Sequence, residues 1–435
     1  MELPTARRGV HRGLNMPCSD QPVERRTATY SQMKITDLRV TISRPLAANI
    51  VLVKVVTDQP GLIGYGNGTM IGAELALATL IEQHLKPRLL GADPDRIEDI
   101  WQLLHRSTYW RSGRELAAAM AAIDLALWDI KGKRAGLPLY SLLGGKSREK
   151  VLCYGHAAGR TVEETVERVH AYRERGCKAI RAQVATPGYE AGSYGAPGRG
   201  RGPATNPAQT TYTWEPVPYL RIVPRLFERL RQEFGDEIHL LHDVHDRLTP
   251  IQAAQLAREL EPYHLFFLED PIPVENKDGL RLLRQHTTTP IAIGERFNSK
   301  WDCLPLITDQ LIDYVRSPMS KSGGVTELRK IATIAEPFQV KTAFQGPSDL
   351  GPLAYAATVH LDLAIPNFGI QEWAEFPPQM AELFPGLPTF RDGYLYVSDA
   401  PGLGVEVNEA ELEKYPYRPS FQPVIRREDG TIQDP

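Results

Sequence analysis

Three acidic residues recur at an even spacing in the middle of the chain. Asp243, Glu269 and Glu295 are separated by 26 residues each time, and they end the apolar runs IHLLHD, HLFFLE and PIAIGE. This spacing is about the length of one strand, one helix and two short loops, so it indicates a repeated βα unit. A single acidic residue at a strand end is usually a solvated charge or a helix cap. Three at equal intervals predict carboxylates that meet at the mouth of a barrel and bind a divalent metal ion such as Mg²⁺.

The same alternation extends on both sides of the acidic residues. Eight strand-like runs can be counted: VLCYGHA, KAIRAQV, IHLLHDV, HLFFLED, PIAIGE, LIDYVR, VKTAFQG and NFGIQEW. The segments between them include TVEETVERVHAYRERG and TPIQAAQLARELEPY, whose apolar residues recur every three or four positions, as in helices that pack on a sheet. Parallel strands joined by right-handed helical crossovers close into a barrel.

A different pattern precedes the barrel. From Met33, KITDLRVTIS and NIVLVKVVTD alternate as strands, and GLIGYGNG predicts turns and a third strand. Three helical patterns follow, AELALATLIEQHLKPRLL, RIEDIWQLLHR and RELAAAMAAIDLALWDIKGKRAG, and the last ends at Gly136. A chain of 435 residues is long enough for two domains, so this region is predicted to be an α+β domain that ends near residue 145.

Residues 1–32 have no apolar periodicity, and they contain the arginines Arg7, Arg8, Arg12, Arg25 and Arg26 among Pro, Ser and Thr. This composition predicts a disordered extension or a misplaced start codon, and a targeting or recognition arm is the alternative. The segment lacks the apolar core of a secretory signal, and no run in the chain approaches the roughly 18 apolar residues of a membrane helix. A cytoplasmic protein is expected.

Charge and cysteine content exclude several other classes. The net charge is −3, from 50 basic and 53 acidic residues, without a long basic run, which argues against nucleic acid as a partner. The four cysteines, Cys18, Cys153, Cys177 and Cys303, lack CxxC spacing. This pattern suits buried thiols in a reducing compartment and argues against disulfides and against a zinc site.

One connection does not have a helical pattern. From Gly188 to about Pro218 the chain is polar and rich in Gly and Pro, and it follows the second predicted barrel strand. Loops after barrel strands lie on the active-site face, and long ones are commonly lids or binding loops. A mobile surface insertion is the alternative.

His245 is the first candidate for proton transfer. It lies two residues after Asp243, and on a continuing strand it would point to the same side of the pleat. A metal that holds a substrate carboxylate stabilises the enediolate formed when a base removes the neighbouring C–H proton. A purely structural histidine is the alternative reading.

These motifs resemble those of the enolase superfamily. Within this superfamily, they are most similar to the mannonate dehydratase-like group, which also includes starvation-sensing proteins. The resemblance covers residues 33 to 435 through TYWRSG, LALWDIKGK, KAIRAQ, LLHDVHDRLTP, LEDPIP, IAIGERFNS, QGPSDLGP, NFGIQEW, PGLGVEV and KYPYRP. It implies a modified (β/α)₇β TIM barrel with an α+β N-terminal capping domain. The expected divisions are capping domain 33–148, barrel 149–400, and tail 401–435 returning to the cap.

The resemblance also implies catalytic roles. The second barrel strand has Arg181-Ala182-Gln183 where other superfamily members have a lysine pair. The group instead pairs this arginine with a tyrosine in the following loop, here Tyr194. Tyr194, its phenol pKa lowered by Arg181, would abstract the C2 proton of a sugar acid. One Mg²⁺ on Asp243, Glu269 and Glu295 would stabilise the enediolate, and His245 would protonate the departing C3 hydroxyl, to give a 2-keto-3-deoxy acid.

The residues expected to bind the substrate match those of the group only in part. Four residues match positions that hold the polyol chain or the carboxylate: His156, Arg316, Asp349 and Glu372. Structural ion pairs are an equal alternative for Arg316 and Glu372. Three positions depart from the group: Gln345 replaces a histidine after the seventh strand, Ile71 an asparagine in the cap, and Lys321 a histidine. Lys321 is either solvated or a base or carboxylate clamp.

The departures leave three hypotheses. The first is a Mg²⁺-dependent sugar-acid dehydratase with little or no activity on D-mannonate, because unpaired substrate hydroxyls cost about 1 to 3 kcal/mol each. The second is another enolate reaction on a less polar carboxylate, and the third is an acid-sensing protein without turnover. The expected partners are a small-molecule acid sugar and further copies of the chain in a homo-oligomer, without nucleic acid or membrane.

Overall fold

A computed structural model describes residues 33–195 and 211–434. The predicted N-terminal extension, Cys18 and residues 196–210 of the long polar connection lie outside the described residues. Within these ranges, no helix combines the length and the apolar character that crossing a bilayer requires.

The first part of the described chain is a small antiparallel sheet covered by helices. The strands are β1 (Ile35–Ser43), β2 (Ile50–Thr57) and β3 (Ile63–Gly68), in the order β1-β2-β3. The helices are α1 (Glu74–Thr79), α2 (Lys86–Leu89), α3 (Ile97–Ser107), α4 (Arg114–Ala135) and α5 (Leu139–Leu142), and a π-helical segment, Leu80–Leu85, joins α1 to α2. Sheet and helices bury an apolar cluster of their own, as the predicted α+β region requires.

Helix α4 is buried on several sides because it packs both on this sheet and on the barrel. Its sequence is rich in alanine, and a Cβ atom on Gly64 or Gly66 of β3 would lie 2.1 Å from a carbonyl oxygen of the helix. This close approach explains why Gly64 and Gly66 are glycines. The helix ends at Gly136, whose φ of 67° is left-handed, as the sequence predicted.

All eight predicted barrel strands are present. They are β4 (Val151–Gly159), β5 (Ala179–Val184), β7 (His239–Asp243), β8 (Phe267–Glu269), β9 (Ile291–Ile293), β10 (Tyr314–Val315), β11 (Lys341–Thr342) and β12 (Gln371–Glu372), and β6 (Thr211–Thr213) lies in the connection between β5 and β7. Pairing is parallel from β4 to β11, and β12 pairs with β4. A parallel bridge between Thr342 of β11 and Phe368, three residues before β12, joins the two ends of the sheet and closes the barrel.

Helices lie between the barrel strands as the apolar spacing predicted. They are α6 (Val162–Glu174), α7 (Pro216–Phe234), α8 (Pro250–Leu260), α9 (Gly279–His286), α10 (Lys300–Thr308), α11 (Gly324–Ala335) and α12 (Pro352–Ala364). Their buried faces and the outer faces of the strands form the largest apolar cluster. The predicted fold, a modified (β/α)₇β TIM barrel with an α+β cap, is therefore confirmed. Cys153, Cys177 and Cys303 are buried free thiols, also as predicted.

The segment after β12 packs against elements that come earlier in the chain. After α13 (Met380–Leu383), a hairpin of β13 (Thr389–Arg391) and β14 (Tyr394–Tyr396) pairs with β4, and α14 (Glu409–Leu412) follows. Ser43 of β1 donates a hydrogen bond to the Tyr415 carbonyl, so this segment touches the cap. Finally, β15 (Val424–Arg426) pairs with β16 (Ile432–Gln433) and with β6. The domain divisions at residues 148 and 400 stay predictions.

Candidate active site

Buried carboxylates lie at the carboxyl ends of β7 and β8. Oxygen atoms of Asp243, Glu269 and Asp270 all lie within 4.8 Å of one another, and the three residues are at most 4% exposed. Asp243 and Glu269 are adjacent because β7 and β8 pair in register at these two residues. Asp270 was not predicted, although it follows Glu269 directly in the sequence LEDP.

Glu295 follows β9 at the same mouth but is not a member of this close group. Its Oε2 accepts a hydrogen bond of 2.7 Å from Nε2 of Gln345, and its Oε1 lies 3.8 Å from Nε2 of His245. Burial opposes ionisation of Glu295, but the charges of His245 and Lys321 outweigh it and lower the pKa of the carboxyl. The structure therefore brings two of the three predicted ligands together, and the third faces Gln345.

Two buried guanidinium groups lie against the acidic cluster. Nη1 of Arg181 is 2.9 Å from Glu269 and 3.2 Å from Asp243, and Nη2 of Arg316 is 2.6 Å from Glu269. Arg316 also contacts Glu372 at 3.1 Å and is 0% exposed. Arg316 thus lies beneath the cavity, which favours the structural alternative for this residue.

Donor chemistry and charge both suit a hard divalent cation. Oε2 of Glu269 is buried and accepts no hydrogen bond from the described part of the chain, and Oδ2 of Asp243 is buried with only the 3.2 Å ion-pair contact to Arg181. Buried carboxylates outnumber the guanidinium groups, since Asp243, Glu269, Asp270 and Glu372 face Arg181 and Arg316. Burial, followed by repulsion from Glu269, raises the pKa of Asp243 well above its ordinary value. An all-oxygen group with excess negative charge is the donor set that Mg²⁺ prefers.

His245 reaches the cavity by a route that differs from the predicted one. Strand β7 ends at Asp243, and His245 adopts a left-handed φ of 61° in the turn that follows. The His245 N–H donates to Oδ1 of Asp243 at 2.8 Å, so the carboxylate itself fixes the turn. The prediction that His245 continues the strand is wrong, although its side chain does line the cavity.

Tyr194 lies beside His245, with ring centroids 3.9 Å apart and an angle of 20° between the planes. Its hydroxyl is 3.4 Å from Nη2 of Arg181. Burial nevertheless raises the pKa of the phenol above its ordinary value, and Arg181 lowers it only in part, because the neighbouring acids Asp243 and Glu295 oppose it. Arg181 thus acts on the phenol in the predicted direction, but burial outweighs its contribution. The role of Tyr194 as the base stays a prediction.

A cavity of about 610 Å³ connects these groups to the cap. Among the predicted residues it is lined by Ile71, His156, Arg181, Tyr194, His245, Glu295, Lys321, Gln345 and Asp349. Nε2 of His156 lies 3.0 Å from Oε1 of Glu372, and burial lowers the pKa of this histidine. Glu372 is 1% exposed, so it supports His156, Arg181 and Arg316 from below the cavity.

Several lining residues were missed by sequence analysis. Arg114 begins helix α4 in the cap, Arg296 follows Glu295, and Gln422 and Asp434 come from the end of the chain. Arg296 bonds to Asp246 at 2.9 Å and lies 3.8 Å from Asp434. Arg296 could have been identified from the sequence GER, because it directly follows the candidate metal ligand Glu295. For the terminal residues, only the fold reveals that they return to the barrel mouth.

Comparison with known proteins identifies similar chains over almost the whole length. Residues 26–144 match the family described as the mandelate racemase / muconate lactonizing enzyme N-terminal domain, and residues 164–411 match the enolase C-terminal domain-like family. D-mannonate dehydratase Caul1427 of Caulobacter sp. strain K31 is 47% identical over 402 residues, which are 92% of this chain and 99% of that protein.

Two further matches agree with this result. The D-galactonate dehydratase family member RspA of Halomonas elongata is 46% identical over 403 residues, 92% of this chain and 99% of that protein. The crystal structure of an enolase from Pantoea ananatis with bound D-gluconate and Mg has a TM-score of 0.86 and 40% identity, and it covers 93% of this chain and 100% of that chain. The similarity therefore includes cap, barrel and tail.

Proposed function

This chain belongs to the mandelate racemase and muconate lactonizing enzyme family of the enolase superfamily, and we propose that it is a Mg²⁺-dependent sugar-acid dehydratase. The observation that carries the proposal is the buried acidic group next to the stacked pair of Tyr194 and His245. The relatives named as dehydratases, and the neighbour that binds D-gluconate and Mg, support the same reaction and substrate class.

Asp243 and Glu269 would hold the ion through their buried carboxylate oxygens, with Glu295 or Asp270 as the third carboxylate. When bound, Mg²⁺ supplies positive charge next to the substrate carboxylate, where negative charge accumulates as the C2 proton leaves. Burial and the neighbouring acids raise the pKa of Tyr194, and a cation held by these acids would offset their part of the effect. The guanidinium of Arg181 favours the phenolate in either state.

Tyr194 and His245 would carry the proton transfers. Their rings are stacked, so both groups approach a bound substrate from the same side. Tyr194 would take the proton from C2, and His245 would give a proton to the departing C3 hydroxyl. Two adjacent groups on one side favour a syn elimination, which gives an enol that becomes the 2-keto-3-deoxy acid. The hydrogen bonds of His156 and Asp349 would orient the substrate chain.

D-mannonate is proposed to be a poor substrate. Gln345 donates Nε2 to Glu295, and its Oε1 is buried without a hydrogen-bond partner among the described residues. An amide cannot carry the proton or positive charge of the histidine that it replaces. On the cap side, Ile71 offers no hydrogen bond to a substrate hydroxyl. Each unpaired hydroxyl weakens binding or rate about tenfold to a hundredfold.

A panel of sugar acids tests this function. The Mg²⁺-loaded protein is incubated with aldonates and aldarates of five and six carbons, and 2-keto-3-deoxy products are measured. The expected result is product from at least one acid, dependent on Mg²⁺, at a rate well above that for D-mannonate. If the folded, metal-loaded protein forms no product from any acid, dehydration is excluded, and the sensing hypothesis is favoured.

A further inference from the structure

The base and the acid of the proposed reaction lie on separate segments of the chain. Tyr194 lies near the end of residues 189–195, which follow β5 and which we name the tyrosine segment, and His245 lies in the turn of residues 244–247 after β7. Their rings nevertheless lie 3.9 Å apart at an angle of 20°. Stacking by itself is a weak contact, so this arrangement depends on what holds the two segments together.

Arg247 connects the two segments. It belongs to the same turn as His245, is 6% exposed, and donates from Nη1 to the Gly192 carbonyl at 2.9 Å. Gly192 lies two residues before Tyr194 in the tyrosine segment. One short turn therefore carries the acid directly and holds the segment of the base through a guanidinium group.

The turn that carries Arg247 is itself fixed to the barrel. The Val244 N–H donates to the Glu269 carbonyl at 3.0 Å, and the Asp246 N–H donates to the Asp270 carbonyl at 2.8 Å. These backbone bonds join the turn to the end of β8. The guanidinium of Arg247 is therefore presented from a fixed point of the barrel mouth.

A closed ring of contacts surrounds the Gly192 carbonyl. The Arg247 guanidinium lies over the Trp214 ring, 5.2 Å from its centroid, and the indole N–H of Trp214 donates to the Thr186 hydroxyl at 2.8 Å. The Thr186 N–H donates to the hydroxyl oxygen of Ser193 at 2.7 Å, which brings the ring back to the residue after Gly192. Trp214, Thr186 and Ser193 are at most 1% exposed. Loss of Arg247 opens this ring on the side that faces the turn of the acid.

We propose that Arg247 is a positioning residue, which fixes the stacked geometry of Tyr194 and His245 through its bond to the Gly192 carbonyl. The proposal rests on the dehydratase function in one respect, namely that Tyr194 and His245 carry the proton transfers. Arginine suits this task because its planar guanidinium bonds to a carbonyl and covers an aromatic face at the same time, whereas a lysine ammonium is a point charge on a flexible stem.

The stacked geometry can be measured without turnover. In protein with ¹³C at the histidine Cε1 position, the ring current of Tyr194 shifts the NMR signal of His245, and the Tyr194→Ala protein gives the unstacked value. In Arg247→Met, with and without Mg²⁺, we expect this signal to move more than half of the way to the unstacked value. A signal that stays at the wild-type position overturns the proposal.

Steady-state kinetics of Arg247→Met measure the consequence for the reaction. We expect kcat to fall about ten- to a hundredfold, as for a displacement of about 1 Å, and KM and the Mg²⁺ affinity to stay within about twofold of the wild-type values. A role of the charge alone would lower kcat without moving the NMR signal. Either change without the other overturns the proposal.

The matched control is Arg231→Met. The Arg231 side chain is 13% exposed, and it donates to the carbonyls of Tyr263, Gly235 and Ile238 at 2.8, 2.7 and 3.0 Å. These contacts lie at the start of β7, at the opposite end of the strand from the cavity. Both kcat and the His245 signal should keep their wild-type values. An equal loss of either in Arg231→Met would reveal a general effect of lost stability and would overturn the proposal.

Gly192→Ala tests the other end of the same bond and leaves the charge of Arg247 in place. A Cβ atom on Gly192 would lie 2.3 Å from the Thr213 carbonyl oxygen, so the Gly192 carbonyl has to move. The NMR signal and kcat are expected to change as in Arg247→Met. If Arg247→Met does not fold, wild-type values in Gly192→Ala overturn the proposal.

The NMR signal also separates this proposal from the dehydratase function. A moved signal in Arg247→Met, with no keto-deoxy product from any acid in the wild type, supports the positioning role and overturns the dehydratase. Product from the wild type, with an unmoved signal in Arg247→Met, supports the dehydratase and overturns the positioning role.

Discussion

At the scale of single residues, two of the buried carboxylates differ in the number of guanidinium groups that they contact. Glu269 contacts both Arg181 and Arg316, at 2.9 and 2.6 Å. Asp243 contacts Arg181 at 3.2 Å, and burial together with repulsion from Glu269 raises its pKa well above the ordinary value. Burial also raises the pKa of Glu269, but two guanidinium groups oppose this effect, so more of the fold balances the charge of Glu269 than that of Asp243.

Asp243→Asn should weaken Mg²⁺ binding by at least about a hundredfold and leave the free energy of unfolding of the metal-free protein unchanged or higher. Glu269→Gln should weaken Mg²⁺ binding similarly but lower that free energy by about 3 to 5 kcal/mol, because Arg181 and Arg316 each lose one buried carboxylate contact. Calorimetric Mg²⁺ titration and denaturant unfolding measure both effects. Equal loss of stability in the two variants would contradict this assignment of charges.

Tyr194→Phe removes the proposed base but keeps the ring that stacks on His245. We expect kcat to fall by about 10² to 10⁴, with Mg²⁺ affinity unchanged, because the phenol is not among the metal-binding carboxylates. Steady-state kinetics and a Mg²⁺ titration on the same preparation provide the measurement. A variant with wild-type kcat would remove Tyr194 from the mechanism.

At the scale of elements, the strands were predictable and the turns after them were not. All eight barrel runs became strands because parallel strands buried on both faces require continuous apolar sequence. The turn at His245 depends on a hydrogen bond from its N–H to Asp243, which leaves no mark in the apolar pattern. The pKa of Tyr194 likewise depends on burial by distant elements, so the sequence suggested only the contribution of Arg181.

The terminal hairpin is the element whose role is easiest to isolate. Strand β15 pairs with β6 at the end of the long connection, and Gln422, Pro423 and Asp434 line the cavity. A chain that ends at Ser420 should bind a sugar acid at least tenfold more weakly, since β6 and this cavity wall lose their support. Measured KM values for the truncated and full chains test this.

A suitable control for the truncation is Ile432→Thr, because the Ile432 side chain is 61% exposed on β16. This variant should keep the wild-type KM. An unaltered KM in the truncated protein would show that the hairpin is not a functional wall of the site.

At the scale of the whole molecule, His360 of helix α12 connects parts that are distant in sequence. Its Nδ1 faces the Tyr140 N–H at 3.4 Å, and its Nε2 faces the Leu403 carbonyl at 3.1 Å. The neutral ring, with Nε2 as donor and Nδ1 as acceptor, satisfies both neighbours. Burial lowers the pKa of His360 to about 4 in the folded protein, compared with 6.5 for an ordinary histidine.

The free energy of unfolding should therefore depend on pH because of the protonation of His360. The folded pKa is below the unfolded value, so the unfolded chain binds more protons between pH 6.5 and about 4. The contribution of His360 is complete above pH 6.5 and is lost as the pH falls through this window, by up to about 1.4 kcal/mol per pH unit. The difference in unfolding free energy between wild type and His360→Gln, measured from pH 7.5 to 4.5, should shrink accordingly. A constant difference would contradict the assignment.

The central claim, sugar-acid dehydration with Tyr194 as the base, is tested most directly by NMR in D₂O. The Mg²⁺-loaded protein is given the acid that the panel identifies, and Tyr194→Phe serves as the comparison. The account predicts a 2-keto-3-deoxy product with one deuterium at C3, because the enol takes its new hydrogen from solvent, and a rate that collapses in the variant. A product without deuterium at C3, or full activity in Tyr194→Phe, would contradict it.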